Sequence, residues 1–400
     1  MNRSLFTNLR RHSTMAVRNP IPAAFLRGGT SKGIFIKRSD LPDDQAQWDR
    51  IFRGIMGSPD KEHGRQLNGM GGGISSLSKI CVVGPPSVAW HGSLVDVEYT
   101  FVQVGIRDGN IDYSGNCGNL SSMIGVFALD EGICGHPGKL TGSTATIRSF
   151  NTNTGKLINT SFPVSVSNDK YTPMLDLDQT SVAGVPGRAS QITLDFVSPG
   201  GSRTGKLLPT GNATDTVQVA AGDKSLPLRM SLVDATNPTV FVVLSDLHDV
   251  FSLPETSTID FASPPILKVL EFIRQQGAML MCLDPLAQAQ PKIAILSPPL
   301  PSDPDVDVFV RALSMGMLHK AIPMTVGLCL GVAAHVQGTL PWQIVRHSRA
   351  SRRDDGEQLV KIKHPSGTVD VGAEFKGDGE VKNAKVVRTG RRLMKGVVWW

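Results

Sequence analysis

The sequence has few cysteines, and they show no pairing pattern. Five cysteines among 400 residues make an odd number, and no two of them form a Cys-x-x-Cys motif. Disulfide frameworks and structural zinc sites both need thiols at characteristic short spacings. The sequence therefore predicts free thiols in a reducing compartment, no metal site and a protein that is not secreted.

Long apolar runs and aromatic residues are also scarce. No apolar run approaches the 18 residues that suggest a membrane-spanning helix, so no contact with a membrane is expected. Aromatic residues make up 6% of the chain, whereas it contains 41 glycines and 26 prolines. Many Gly, Pro, Val and Thr residues with few long helical periods favour a fold rich in strands.

Acidic residues are absent before Asp40, while four arginines fall within the first eighteen residues. Without those arginines the formal net charge falls from +6 to +2, so the rest of the chain has no basic stripe for nucleic acid. Residues 1–18 form a basic leader whose composition is typical of a mitochondrial transit peptide. The alternative is a plain basic extension before a start at Met15, and the expected location is mitochondrial or cytoplasmic.

The two halves of the chain repeat one order of elements. Each half has strands, a short helix and then an apolar helix that follows a polar loop. The two loops are "SGNCGNLSS" (114–122) and "SMGMLHKAIP" (314–323). This repetition predicts an α+β protein with two pseudo-symmetric domains, 19–187 and 188–400, and a site in the cleft between them.

Cys117 lies between two Gly/Asn pairs at a predicted helix N-terminus. The unpaired N–H groups and the helix dipole there stabilise a thiolate, and they also stabilise an anion bound beside it. Gly115 and Gly118 let a ligand approach the backbone closely. Two alternatives stay open: a buried structural thiol, and a hydrolase nucleophile, although Asn119 stands where the elbow motif needs Gly.

Lys79 ends a glycine-rich segment, "NGMGGGISSLSK", and begins an apolar run. The glycine N–H and serine O–H groups are suitable donors for an anion. A lysine that is desolvated has a lowered pKa and can act as a base. The alternative is a surface lysine at a strand edge.

Two further segments contain cations beside glycines. "FLRGGTSKG" (25–33) contains Arg27, whose guanidinium suits bidentate carboxylate binding, although a plain hairpin turn is the alternative. "GGSRTGKLL" (200–208) approaches a P-loop, but Leu207 replaces the hydroxyl residue that would bind magnesium and Pro209 disfavours the following helix. Lys206 is therefore predicted only as a cation for an anionic ligand.

Nine ordered segments between about residues 21 and 396 resemble the signature segments of the PrpF-type isomerases. They are "FLRGGTSKG", "NGMGGGISSLSK", "SGNCGNLSS", "NTNTGK", "GSRTGKLLPTG", "VDATNP", "SMGMLHKA", "HPSG" and "VVRTGRRLMKG". The family includes methylaconitate isomerase, aconitate delta-isomerase and oxalomesaconate tautomerase. The resemblance implies a diaminopimelate-epimerase-like fold, in which each domain wraps a barrel-like β-sheet around a central helix. It also implies that no cofactor is needed and that Lys79 and Cys117 are the catalytic pair.

The function implied by the resemblance is an allylic proton shift in an unsaturated di- or tricarboxylic acid, foremost an aconitate or methylaconitate. The alternatives are a keto-enol tautomerase of an oxo-dicarboxylate such as oxalomesaconate, and a non-catalytic accessory protein of an aconitase-type dehydratase. The matching second-half loop has no cysteine, so a symmetrical two-thiol mechanism is not expected. A homodimer and a functional link to such a dehydratase are the other partner expectations.

The predicted substrate-binding residues come from these glycine-rich and cationic segments. They are Arg27, Gly28, Thr30, Ser31, Asn68, Gly71, Gly72, Ser75, Asn116, Gly118, Asn119, Lys206, Met315, His319 and Lys320. The cations and the N–H groups of Gly71, Gly72 and Gly118 are expected to bind two or three carboxylates.

Overall fold

The computed structural model describes residues 18–87, 95–168, 170–221, 224–254, 257–350 and 359–400. The predicted leader lies almost wholly outside these residues. Strands dominate, and the expected α+β class is confirmed. The first twelve strands are β1 (Ile21–Gly28), β2 (Ser31–Lys37), β3 (Lys79–Gly84), β4 (Val97–Val104), β5 (Ile111–Asp112), β6 (Lys139–Thr141), β7 (Thr144–Asn151), β8 (Lys156–Ser167), β9 (Lys170–Pro173), β10 (Thr180–Val182), β11 (Val185–Ala189) and β12 (Ile192–Val197).

Ten more strands and seven α-helices complete the described structure. The strands are β13 (Asp215–Ala221), β14 (Lys224–Ala235), β15 (Asn237–Val243), β16 (Lys292–Ser297), β17 (Val308–Ser314), β18 (Met317–Leu318), β19 (Leu359–His364), β20 (Gly367–Phe375), β21 (Val381–Arg388) and β22 (Gly390–Val398). The helices are α1 (Trp48–Met56), α2 (Gly118–Ser121), α3 (Ile124–Asp130), α4 (Leu244–Val250), α5 (Pro264–Leu280), α6 (Met324–Ala333) and α7 (Leu340–Ala350). No helix in these described ranges is long and apolar enough to span a membrane.

The two halves repeat the same strand pairings. In the first half β1 pairs antiparallel with β2, β2 parallel with β3, and β3 antiparallel with β4. In the second half β14, β15, β16 and β17 repeat this sequence of antiparallel, parallel and antiparallel pairs. Each half then has a short hairpin strand, β5 or β18, that precedes the buried apolar helix. The antiparallel pairing of β12 with β21 connects the two sets of strands.

The strand registers of the two halves also match. Ile80 pairs with Ile34 and Val102 in the first half, whereas Ile293 pairs with Val240 and Leu313 in the second. Counting along each strand from these partners gives three pairs of equivalent positions. They are Ser31 and Asn237, Lys79 and Lys292, and Gln103 and Ser314.

The central helices differ between the halves. In α6 every residue is buried, and its apolar side chains share one large core cluster with those of α3. The helix predicted to begin at Cys117 forms two short helices, α2 and α3, with a break at Ser122 and Met123. Ser121 Oγ and Ser122 Oγ donate to the carbonyl oxygens of Cys117 and Asn119, and such back-bonding loosens and bends helices.

The last strand returns to the start of the chain. β22 pairs antiparallel with β1 along its length, and Arg27 Nη1 donates to the carbonyl oxygens of Gly29 and Thr389 at that junction. The division into 19–187 and 188–400 stays a prediction, but residues 390–398 extend the first-half strands. In the sequence, Trp48 and Phe52 are spaced for one face of a helix and "NTG" at 153–155 is a turn signal. The structure has the helix α1 and the hairpin of β7 and β8 at these positions.

Candidate active site

The candidate site is a pocket where the N-termini of α2 and α6 meet. A Cβ added to Gly118 would lie 3.3 Å from Met324 Cβ and 3.4 Å from the backbone nitrogen of Thr325, so the helix ends are in contact. The first N–H groups of a helix have no partner within it, and here two such ends face one space. The pocket is lined by Ser31, Ser75, Lys79, Phe101, Gln103, Gly115, Asn116, Cys117, Gly118, Asn119, Asn237, Ala289, Lys292, Ser314, His319, Pro323, Met324 and Thr325.

Lys79 is the first residue of β3, and its side chain is buried and oriented by a neighbouring strand. Its Nζ donates to Gln103 Oε1 at 2.5 Å. Gln103 Nε2 in turn donates to the carbonyl oxygens of Ser75 and Ser78, so the amide cannot rotate without losing those bonds. Burial lowers the pKa of Lys79 below its ordinary value, although the nearby Cys117 and Cys81 thiols oppose this shift. The amine can therefore lose its proton more readily than an exposed lysine.

Cys117 is the N-cap residue of α2, as its sequence context predicted. Its backbone N–H donates to Asn116 Oδ1 at 2.7 Å, and its Sγ lies 3.7 Å from Ser31 Oγ. Tyr99 OH also donates to Asn116 Oδ1 and bonds to Ser121 Oγ. The thiol is thus partly exposed on a loop that buried hydrogen bonds hold in place.

Lys292 brings a second buried lysine into the pocket. It is the first residue of β16, its Nζ donates to the Ala289 carbonyl oxygen at 2.5 Å, and Ala289 N donates to Asp112 Oδ2. Burial and the positive charge of Lys79 lower the pKa of Lys292 to about 7, against the opposing effect of Asp112. The second half therefore supplies a cation that the sequence analysis missed.

His319 lines the pocket as predicted, but it is not the cation that the anion-binding hypothesis assumed. Its Nδ1 accepts a hydrogen bond from the backbone N–H of Ala321 at 3.1 Å, so the neutral ring carries its hydrogen on Nε2. Burial and repulsion by Lys79 lower the pKa of His319 to about 4. At neutral pH His319 is therefore an uncharged hydrogen-bond donor.

Asn237 joins the two halves at the pocket. Its Oδ1 accepts from the backbone N–H of Asn116 at 3.2 Å. Its Nδ2 is buried and has no hydrogen-bond partner within the described chain. A buried amide donor without a partner is unfavourable, so this orientation is suited to a ligand that accepts the missing bond.

The charge of the pocket is positive. None of the described residues that line it is acidic, whereas Lys79 and Lys292 both are basic. Converging donors and a positive local field favour a small anion. No group of three or more His, Cys, Asp or Glu residues in the described ranges could hold a metal ion.

Eight of the residues predicted for catalysis or binding converge on this pocket. They are Ser31, Ser75, Lys79, Asn116, Cys117, Gly118, Asn119 and His319. Thr30 and Lys320 lie in an adjoining groove that shares Ser75 and His319, and Met315 lies in another groove beside Ser75. The roles of these residues in catalysis and binding stay predictions.

The remaining predicted residues are engaged elsewhere. Arg27 donates hydrogen bonds to the carbonyl oxygens of Gly29 and Thr389. Gly28 packs against α2, where an added Cβ would lie 2.3 Å from the Asn119 carbonyl oxygen. The N–H of Gly71 donates to the Met56 carbonyl oxygen, so this group is not available to an anion. Asn68 lines a surface groove with Arg53 and Asp60, and Gly72 packs against Leu77.

Lys206 is exposed, and the loop that contains it donates hydrogen bonds to the carboxylate of Asp234. The Asp234 carboxylate accepts hydrogen bonds from Ser202 Oγ, from Thr204 Oγ1 and from the backbone N–H groups of Arg203 and Thr204. The donors that a P-loop would offer to phosphate are therefore used within the protein.

Five polar lining residues were missed by the sequence reasoning: Gln103, Asn237, Lys292, Ser314 and Thr325. A signal for Lys292 was present, because "KIAIL" at 292–296 repeats the "KICVV" of 79–83. Gln103 is a polar residue within an apolar strand, which is itself a sign of a specific partner.

Curated relatives of known name match nearly the whole chain. A 3-methylitaconate isomerase of Eubacterium barkeri is 36% identical over 397 residues, covering 95% of this chain and 97% of that protein. A 2-methyl-aconitate isomerase of Shewanella oneidensis is 34% identical over 405 residues, with coverage of 94% and 96%. A 4-oxalomesaconate tautomerase of Pseudomonas putida is 31% identical over 381 residues, with coverage of 94% and 95%.

Solved structures give the same assignment. The crystal structure of a methylitaconate-delta-isomerase matches with a TM-score of 0.70 at 35% identity, covering 96% of each chain. A hydroxyproline epimerase from Agrobacterium vitis shares the fold alone, with a TM-score of 0.54 at 10% identity. The sequence model described as PrpF protein matches residues 18–400. With its epimerase-like fold and relatives above 30% identity along almost its whole length, the chain belongs to the PrpF family.

Proposed function

We propose that the chain is an isomerase that moves a proton and a double bond within an unsaturated di- or tricarboxylic acid. One observation carries this proposal: a buried lysine and the thiol of a helix N-cap residue share a pocket that a second lysine lines and that no acidic residue of the described chain lines. Lysine and cysteine are suitable acid–base groups for carbon, and the positive pocket favours a substrate that carries several carboxylates.

The reaction uses Lys79 and Cys117 as base and acid. The neutral Lys79 amine takes a proton from the allylic carbon, and the C–H electron pair forms a new C=C bond to the neighbouring carbon. The former double bond shifts its electrons to the far carbon, which takes a proton from the Cys117 thiol. Proton return from the Lys79 ammonium to the Cys117 thiolate restores both groups without loss of any atom.

The carbanion formed between these steps is delocalised into a conjugated carboxylate, so its negative charge must be stabilised. Donors fixed before the reaction do this most effectively, because they need no reorganisation when the charge develops. The N–H groups at the ends of α2 and α6 and the His319 Nε2–H group are such donors at this pocket. Gln103 holds the Lys79 amine in a defined direction toward the same space.

The relatives support the substrate class, because their names specify methylitaconate, methylaconitate and oxalomesaconate. A methyl-substituted or unsubstituted aconitate or itaconate is thus the first candidate. The tautomerase among the relatives supports a second candidate, an oxo-dicarboxylate undergoing keto-enol exchange. Both reactions remove a proton next to a conjugated carboxylate, so the same residues serve either one.

Proton NMR in heavy water separates these candidates. The protein is incubated with methylitaconate, methylaconitate, trans-aconitate and oxalomesaconate, and exchange and isomer formation are followed for each acid. Isomer formation with deuterium incorporation in a non-oxo acid supports the isomerase, whereas activity confined to the oxo acid supports the tautomerase. Absence of exchange in all four acids contradicts the proposed function and agrees with an accessory role.

A further inference from the structure

The second half of the chain carries a lysine equivalent to the proposed base. Lys292 and Lys79 occupy the same position in matching strands, each is the first residue of its strand, and each lines the pocket. Both are buried, with 8% and 7% of their surface exposed. Each half of the chain therefore contributes one lysine to the same pocket.

The two halves differ in one respect that matters chemically. Both lysines interact with the Cys117 thiol, but Cys117 belongs to the first half, where it is the N-cap residue of α2. The residue that caps α6 in the second half is Pro323, which offers no acid or base. The second half therefore has no N-cap thiol equivalent to Cys117, and a role in binding suits Lys292 better than a role in the proton shift.

Asn237 supplies an independent observation at the same place. It is equivalent to Ser31 of the first half, is 1% exposed and lines the pocket, and its Nδ2 is buried beside Gly115 without a hydrogen-bond partner in the described ranges. Lys292 Nζ donates to Ala289, and an ammonium group has two more hydrogens to donate. The second half thus offers both an amide donor and a cation to a ligand.

The balance of charge favours an anionic ligand at these donors. Two buried lysines repel each other, and burying an unpaired charge is costly. Asp112 approaches Lys292 only through Ala289 and does not line the pocket. A carboxylate between Lys292 and Asn237 would neutralise one charge and accept the unused amide hydrogen.

We propose that Lys292 Nζ and Asn237 Nδ2 form a subsite for one carboxylate of the substrate, while Lys79 and Cys117 act on the reacting carbons. This inference rests on the proposed function, because it assigns one half of the pocket to the reacting carbons and the other half to recognition. It makes Lys292 and Asn237 determinants of specificity for acids with at least two carboxylates.

Binding of two saturated acids that cannot isomerise tests this subsite directly. Calorimetry measures the affinity of the full chain for glutarate, a dicarboxylate, and butyrate, a monocarboxylate of similar length. In the wild type glutarate should bind more tightly. In Lys292→Met, which keeps the length of the side chain without its charge, the glutarate affinity should fall about 10- to 100-fold, while butyrate changes much less.

Two further variants make the result specific. Lys268→Met removes an exposed lysine of the same half and should leave both affinities unchanged. Asn237→Asp keeps an oxygen to accept from Asn116 but replaces the Nδ2 donor with an anionic oxygen, so it should weaken glutarate binding at least tenfold. Together these results would assign the loss to the subsite and not to general charge.

The opposite outcomes overturn the subsite. If both variants keep the wild-type preference for glutarate, no carboxylate binds there. If Lys292→Met keeps that preference but loses kcat by more than 100-fold, Lys292 acts in proton transfer instead. Because these ligands are not turned over, a protein that prefers glutarate yet isomerises no acid would contradict the proposed function and leave the subsite standing.

Discussion

Replacing Lys292 with methionine should make the stability of the protein less dependent on pH. Lys292 faces Lys79, Cys117, Asp112 and Arg274, and its pKa falls from 10.5 to about 7 when the chain folds. Between these two values the unfolded chain binds more protons than the folded chain, so stability rises with pH in that window. Below about pH 7 both states are protonated, and the full cost of burying the charged ammonium is present.

The size of the effect follows from these two pKa values. One pKa unit corresponds to about 1.4 kcal/mol, and integration from pH 7 to pH 9 gives about 2 kcal/mol of added stability from this lysine. Lys292→Met removes the titrating group, so the variant should be more stable than the wild type at pH 7. Its advantage should shrink by about 2 kcal/mol at pH 9.

Urea unfolding without ligand, followed by tryptophan fluorescence at both pH values, measures this difference. Effects of pH on the rest of the chain largely cancel between the two proteins. Lys268→Met is the matched control, because its ammonium group is exposed in the folded chain, and its difference from the wild type should be the same at both pH values. A constant difference for Lys292→Met would refute the account of Lys292 as a lysine whose charge is penalised by burial.

Three other changes test the pocket. In a Cys282→Ser background, which removes the exposed thiol, Cys117→Ser should lower kcat by roughly 10² because a hydroxyl is a far poorer acid than a thiol. In the Cys282→Ser protein with Cys117 intact, a bound tricarboxylate should slow alkylation of Cys117 by iodoacetamide. Equal alkylation rates with and without the tricarboxylate would place the thiol outside the site. Gln103→Leu should lower kcat more than it raises KM, because Lys79 loses the hydrogen bond that orients it. An unchanged kcat would show that Gln103 does not orient Lys79 for the reaction. His319→Gln should keep the shape of the rate profile between pH 5.5 and 8, since the pKa of His319 is lowered to about 4, whereas loss of a limb near pH 6.5 would show that His319 titrates in the working range.

The fold could be predicted from local patterns to a considerable extent. Apolar residues at helical spacing identified α1, and turn residues identified the hairpin at 153–155, because both signals are local. The return of β22 to β1 was not predicted. It depends on a pairing between residues more than 360 positions apart, and no local signal encodes such a pairing.

Site residues were predicted where a local backbone signal and a reactive side chain occur together in the sequence. They were missed where tertiary packing determines which side chains reach the pocket. Cys117 was found because glycines mark a helix N-terminus, and Lys79 because a lysine opens an apolar strand. Arg27 and Gly71 lie outside the lining of the pocket and donate to Thr389 and Met56, contacts that the sequence does not show, and their roles in binding stay predictions. Lys292 was missed because the repeat of "KICVV" as "KIAIL" is short, whereas the matching strand registers of the two halves identify Lys292 as the equivalent of Lys79.

The central claim is that Lys79 removes the proton from the allylic carbon. Lys79→Met keeps the volume of the buried side chain, so a folded protein with an intact Cys117 is expected. Deuterium incorporation and isomer formation are measured by proton NMR in heavy water, with the acid that the wild type turns over and with Lys268→Met as control. Lys79→Met should lose both signals by more than 10³-fold while glutarate still binds. Turnover within tenfold of the wild type would contradict it.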